Sequence, residues 1–301
     1  MRGRIAVAAA LVLLLGGCAS TPTSKSTAVR PSLITAGPEV RTATGEAARR
    51  AAEVTAAWPG SAAQQAWEHG YFPLQDTTEW PPEGAFRDGA DKAAYLAGHI
   101  DLATTLPVSV SGTTEVTFAD GSRLALPQRS AKAVLDSLTR QRSACATGCD
   151  TRLTVTAVQP GTTTVATSRG QAVIPVWEFT ITGYDRPFRY PAVLSQAPAR
   201  TTPVPDPAPA AGATTLRSVS ADGLVLTAFV PHGGCDTVRP GEVHETDRAV
   251  VLIGRTAPTK SGRPCNDLLL STPVEFRLSR PLGARAVLGL ADGRPQTPAP
   301  Q

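Results

Sequence analysis

Between Ser195 and Gly212 the chain carries five prolines in eighteen residues, at positions 198, 203, 205, 207 and 209. Proline fixes φ and has no backbone N–H, so a run this dense cannot sit inside a helix or a central strand. It favours a stiff, extended spacer and divides the chain. The reading is a larger domain over 44–194, a Pro/Ala-rich linker over 195–213, a smaller domain over 214–293 and a disordered tail over 294–301. The hydrophobic fraction of 42% allows each part a buried core.

The first domain opens helical. Glu46–Trp58 is rich in helix formers and is stopped by Pro59-Gly60. Ser61 is placed to cap a second helix through Glu68, and Asp91–Gly98 reads as a third. Strands Thr114–Phe118 and Arg123–Leu126 flank Asp120-Gly121, a hairpin signal because glycine accepts positive φ. Ser130–Arg142 follows as an amphipathic helix. Three strands come next, Arg152–Val158, Thr162–Thr167 and Ala172–Thr182, with turns at Pro160-Gly161 and Arg169-Gly170. The second domain reads as short strands only. They are Leu216–Val219, Leu224–Val230, Val243–Glu245, Ala249–Gly254, Leu268–Leu270, Val274–Leu278 and Ala286–Leu290. The expected fold class is α+β: a helical N-terminal part with a small antiparallel sheet, then an all-β sandwich- or barrel-like second domain.

The N-terminus suggests a location. Arg2 and Arg4 precede the apolar run Ile5–Leu15, and Leu15-Gly16-Gly17-Cys18 closes it. A basic start, a short apolar core and a small-residue site describe a signal peptide over 1–17. The run is too short to span a bilayer as a helix. The cysteine at the cut resembles the lipobox of bacterial lipoproteins. That resemblance implies diacylglycerol on the Cys18 thiol and palmitate-type acylation, anchoring the chain to the outer face of the cytoplasmic membrane. Residues 18–43 then read as a disordered, polar tether. Abundant Ala, Pro, Thr and Arg with little Lys match a GC-rich actinobacterial proteome. The whole plan resembles the uncharacterised two-domain cell-surface lipoproteins of that group, a resemblance that carries no activity to any residue.

Chemistry is harder to find. The net charge is +4, and removing Arg2 and Arg4 leaves +2, with no basic cluster suited to nucleic acid. Cys145, Cys149, Cys235 and Cys265 form an even set in an exported chain, which reads as two disulfides. Three pairings are open; sequence order favours Cys145–Cys149 and Cys235–Cys265. A lone Cys-x3-Cys is a weak zinc signal, so no metal and no cofactor are expected. Pro231-His232-Gly233-Gly234 looks like an esterase oxyanion loop, but no Gly-x-Ser-x-Gly accompanies it. Lys260-Ser261-Gly262 has no Ser-x-x-Lys partner. The polar segment His232–Asp247 reads as a solvated loop and edge strand, because His244 and Glu245 point to opposite faces.

Aromatics cluster between Trp58 and Tyr95. The preferred reading is that an alanine-rich helical region needs them as core. The competing reading is a binding surface at Trp67, Tyr71, Trp80 and Phe86. No catalytic residue is assigned. The expected function is a non-enzymatic interaction module facing an envelope protein or cell-wall polymer. The alternative is a glycan- or small-molecule-binding lipoprotein, with an envelope enzyme of unfamiliar site behind it.

Overall fold

The computed structural model describes residues 32–74, 86–108, 112–140, 150–201, 211–259 and 268–298. Among these residues, four helices run over α1 Gly45–Ala57, α2 Ala62–His69, α3 Gly89–Leu96 and α4 Ala131–Thr139. Strands dominate the rest, so the fold is broadly α+β but mostly β. The first sheet has the order β1 (Ile100–Leu102), β4 (Leu153–Thr167), β5 (Gly170–Ile181), β2 (Thr113–Phe118), β3 (Arg123–Pro127), with β6 (Phe188–Pro191) also on β5. All its pairings are antiparallel except β1 with β4.

β4 and β5 form one long hairpin around Arg169-Gly170, as the glycine signal suggested. The turn expected at Pro160-Gly161 is absent. Both residues lie inside β4, paired with Trp177 and Val176. Proline is tolerated there because β1 covers only Leu153–Val155, leaving that stretch of β4 as an edge with no ladder bond to donate. A Cβ on Gly161 would come within 2.8 Å of the Glu178 carboxyl carbon, so a side chain there would displace the Glu178 carboxylate.

β5 buries its two faces in turn. Ala172, Ile174 and Val176 pack with Tyr71, Val116, Phe118 and Leu126. Trp177, Phe179 and Ile181 point the other way, against Tyr95 of α3 and Ala131 and Val134 of α4. Alternation along a strand makes these opposite faces, and the burial phase changes between Val176 and Trp177.

Among the described residues the C-terminal strands form two three-stranded sheets and no closed barrel. One has the order β12 (Ala286–Leu288), β10 (Ala249–Pro258), β9 (Asp236–Glu245). The other is β11 (Leu269–Arg277), β8 (Val225–Gly233), β7 (Thr215–Val219). Leu216, Leu226, Ala228, Val230, Val274 and Phe276 of one sheet meet Val243, Val250, Leu252 and Val287 of the other. The outer face of the β12–β10–β9 sheet, through Ala249, Val251, Ile253, Ala286 and Leu288, packs on Ala51, Val54 and Trp58 of the α1 region and Ala63 and Trp67 of α2. This sheet is therefore a middle layer, and residues 249–254 of β10 are buried without interruption.

Helices α1 and α2 thus complete the core of strands that lie beyond the proline-rich segment, although the sequence reading groups them with the first sheet. Specific polar contacts hold them there. The amide of Thr44, the N-cap of α1, donates to Glu242 at 2.9 Å, and Arg255 donates to the Thr44 carbonyl at 2.9 Å. Arg50 donates to the Ala291 carbonyl at 2.7 Å. The chain from Pro31 to Gln301 forms one compact unit.

Two stretches expected to be disordered are docked. Within the tether, Ile34 pairs in parallel with Val274 of β11, and Thr42 pairs with Val243 of β9. In the tail, Pro295 pairs with Leu288, and the Gln296 side chain accepts from the Leu216 amide at 2.7 Å. Each lends backbone bonds to a sheet edge, a stabilisation that low hydrophobicity does not reveal. In the linker, Gln196 pairs with Tyr71 through its side chain and backbone, and Thr201 is buried against the Gly293 carbonyl.

Candidate functional site

A cleft of about 530 Å³ opens between α2 and residues 280–285. Its helical wall follows from local sequence. Pro59-Gly60 ends α1, with Gly60 at a φ of 76°. Ser61 then caps α2 by accepting from the Gln64 amide at 3.0 Å. Gln64 accepts from Gly60 N–H at 2.7 Å and donates to Glu68 at 2.6 Å, so the Glu68 carboxylate is held on the rim. Trp58 and Trp67 line the inner end of the cleft with almost no exposed surface.

The opposite wall is the turn Thr246-Asp247-Arg248 and the loop after β11. Arg285 pins that loop from inside. It is buried, donates to Glu245 at 2.7 Å, and reaches the carbonyls of Arg280, Pro281 and Leu282. Arg280 donates to Asp247 at 2.7 Å. The Thr246 hydroxyl accepts from the Ala249 amide at 3.0 Å and fixes the turn. Among the described residues the Arg248 side chain makes no hydrogen bond or ion pair, and it is exposed.

Asp247 and Arg248 also border a second, shallower cleft of about 480 Å³, with Thr55, Pro59 and His244. Burial pushes the His244 imidazolium pKa below its ordinary value, which favours the neutral ring. Its Nε2 lies 3.2 Å from the Thr55 hydroxyl. Thr55 has one proton, and its Ala51 carbonyl acceptor is closer, at 2.9 Å. The histidine ring therefore donates to Thr55, which makes this a packing contact rather than a base beside a nucleophile.

The polar segment His232–Asp247 resolves into separate structural pairs. His232 bonds the Gly233 carbonyl and Thr272, each at 2.9 Å. Asp236 accepts from the Gly233 amide at 3.0 Å. Burial alone would raise the Glu242 carboxyl, but hydrogen bonds from Arg255 and Thr44 outweigh it and hold the pKa below the usual carboxylate range. His244 faces α1 while Glu245 faces Arg285, the opposed directions expected of neighbours on a strand. No group of His, Cys, Asp and Glu that could hold a metal ion occurs among the described residues.

The aromatic set does not come together. Trp67 stacks on Phe72, with centroids 4.9 Å apart, in the core under α1. Tyr71 is buried in the β2–β5 core. Phe86 is half-buried beside Tyr95 in the α3–α4 core, at 5.1 Å. Trp80 lies outside the described residues. Three different cores thus take these side chains: Trp67 and Phe86 fill volume beside alanine-rich helices, and Tyr71 packs among strands. Cys235 is disulfide-bonded; Cys18, Cys145, Cys149 and Cys265 lie outside the described residues.

The sequence reading missed Glu68, Arg248 and Arg280 as cleft residues. The turn at Thr246–Arg248 was legible, but its facing wall comes from a helix some 180 positions earlier, and no local pattern announces that pairing. No helix among the described residues is long and apolar enough to cross a membrane. No protein-family model, curated protein or solved structure matches this chain.

Proposed function

We propose that this chain is a lipid-anchored, extracytoplasmic interaction module that binds its partner without transforming it. Diacylglycerol on Cys18 supplies the anchor, and two acyl chains suffice for stable attachment. The cleft at Arg248 supplies the contact. The observation that carries this reading is the pairing state of the cleft: Glu68, Asp247, Arg280 and Arg285 are each bonded to a neighbour, while Arg248 has no partner among the described residues. A free guanidinium at the mouth of a preformed cleft suits a carboxylate or phosphate of an envelope protein or wall polymer.

A second reading keeps the same cleft for a small anionic molecule, favoured by a volume of about 530 Å³. That lies in the small-molecule range. Sugar stacking on Trp67 and Tyr71 is disfavoured, since both rings are buried.

The test is cross-linking on living cells with tagged full-length protein, read by mass spectrometry. A reproducible partner is expected, lost from Cys18→Ala and reduced about tenfold in Arg248→Ala, as for a lost charge-assisted hydrogen bond. Equal recovery with Arg248→Ala would move the contact away from this cleft.

A further inference from the structure

Leu268, Leu269 and Leu270 are 58%, 81% and 43% exposed, the one run of three exposed large apolar residues among the described residues. Leu96, Leu102, Val108, Val173 and Leu194 are exposed singly, which is ordinary for a protein surface. The three leucines lead into β11, which begins at Leu269, where the sheet outruns its core. Leu269 and Leu270 pair with Gly233 and His232 at the far end of β8, and burial on β11 resumes only from Pro273 onward.

Successive strand residues face opposite sides, so this tip is apolar on both faces. A fluid apolar medium covers both faces at once without a preformed slot.

The path of the chain gives the tip a direction. Ile34 lies on the free edge of β11, its amide donating to the Pro273 carbonyl at 3.0 Å and its carbonyl accepting from Glu275 at 2.8 Å. That pairing is parallel, so at Ile34 the chain arrives from the leucine end of β11. Leu33, just before it, is also exposed. Thirteen residues, Ala19–Pro31, separate Cys18 from Ser32. Fully extended, a segment of that length spans at most about 45 Å.

We propose that Leu268–Leu270 form a membrane-contacting tip that dips into the outer leaflet beside the lipid anchor and orients the folded body on the bilayer. This rests on the lipid-anchor reading. Tethering keeps the bilayer at high effective concentration, so a small apolar tip is enough to dock.

The test is amide hydrogen exchange on the full lipidated chain in phosphatidylglycerol–phosphatidylethanolamine vesicles, compared with soluble Cys18→Ala protein. Flotation of the vesicles establishes anchoring first. Exchange over residues 268–272 is expected to slow on the order of tenfold in the anchored protein, with residues near Leu96 and Val173 unchanged. Leu269→Glu and the triple Leu→Ser variant should still float but lose that protection. Unchanged exchange in protein that floats would overturn the tip and leave the anchor standing. A chain that does not float would overturn the anchor, and the tip with it. Protection of Cys18→Ala protein without vesicles, accompanied by dimer in sedimentation, would reassign the leucines to a second copy of this chain.

Discussion

Strand β10 is sealed on both faces from Ala249 to Gly254, whereas β5 is sealed on one face along its first half and on the other along its second. β10 lies between a helical layer and a second sheet, so every residue meets protein. β5 has α3 and α4 over one end and Tyr71 and Val193 against the other. The contrast teaches that burial pattern records what covers a strand, not whether the strand is central. A middle layer yields a continuous apolar run, while two half-covers yield an alternation that slips phase.

The largest expected effects test the covers directly. Phe179→Ala should destabilise the soluble Cys18→Ala chain by about 4 kcal/mol and Leu252→Ala by about 3 kcal/mol, read from urea denaturation. The comparison sharpens in the double variant Ile174→Ala/Phe179→Ala. Five strand residues place these side chains roughly 16 Å apart and on opposite faces, so their costs should add to within about 0.5 kcal/mol. Strong coupling would mean that the two halves of β5 share one core.

A smaller loss is expected from Gly241→Ala, on the β9 strand next to β10. An added Cβ would sit 2.0 Å from the Phe276 ring, between the two C-terminal sheets. The cost should be about 1–3 kcal/mol, with urea slope unchanged. A neutral result would show that the sheets can part, unlike the tight middle layer described for β10.

The smallest effect is a pH dependence at the helix–sheet contact. Burial lowers the folded His244 pKa, so the unfolded chain binds its proton more readily. Stability should therefore fall as pH drops through the unfolded value, near 6.5, toward the folded one. His244→Gln should flatten that part of the urea-midpoint profile. Glu242 and Asp91 have depressed folded pKa values, so their contributions fade only at lower pH, as it falls through those values. A wild-type profile flat between neutrality and mild acid would mean that α1 does not bury the ring.

Local signals carried much of the secondary structure. Asp120-Gly121 and Asp222-Gly223 mark real turns, and Ser61 and Ser130 cap α2 and α4. Local rules failed where neighbours overrode them. Pro160-Gly161 continues a strand because its edge is open. Pro240-Gly241 also lies inside a strand, opposite the register shift between Ile253 and Arg255. The Arg248 cleft was not legible, since α2 and the β9–β10 turn are brought together only by the burial of Val54, Trp58 and Trp67 on the middle sheet.

The pairing of Ile34 with β11 has a consequence for aggregation. An uncovered β11 would present unpaired amides and carbonyls along an edge that begins with three leucines, a template for strand addition by other molecules. The incoming chain occupies part of that edge. Trimming the protein at Thr44, as a disordered tether would invite, removes this guard together with the Thr42 pairing. The shortened chain should then self-associate through β11, even with both C-terminal sheets intact.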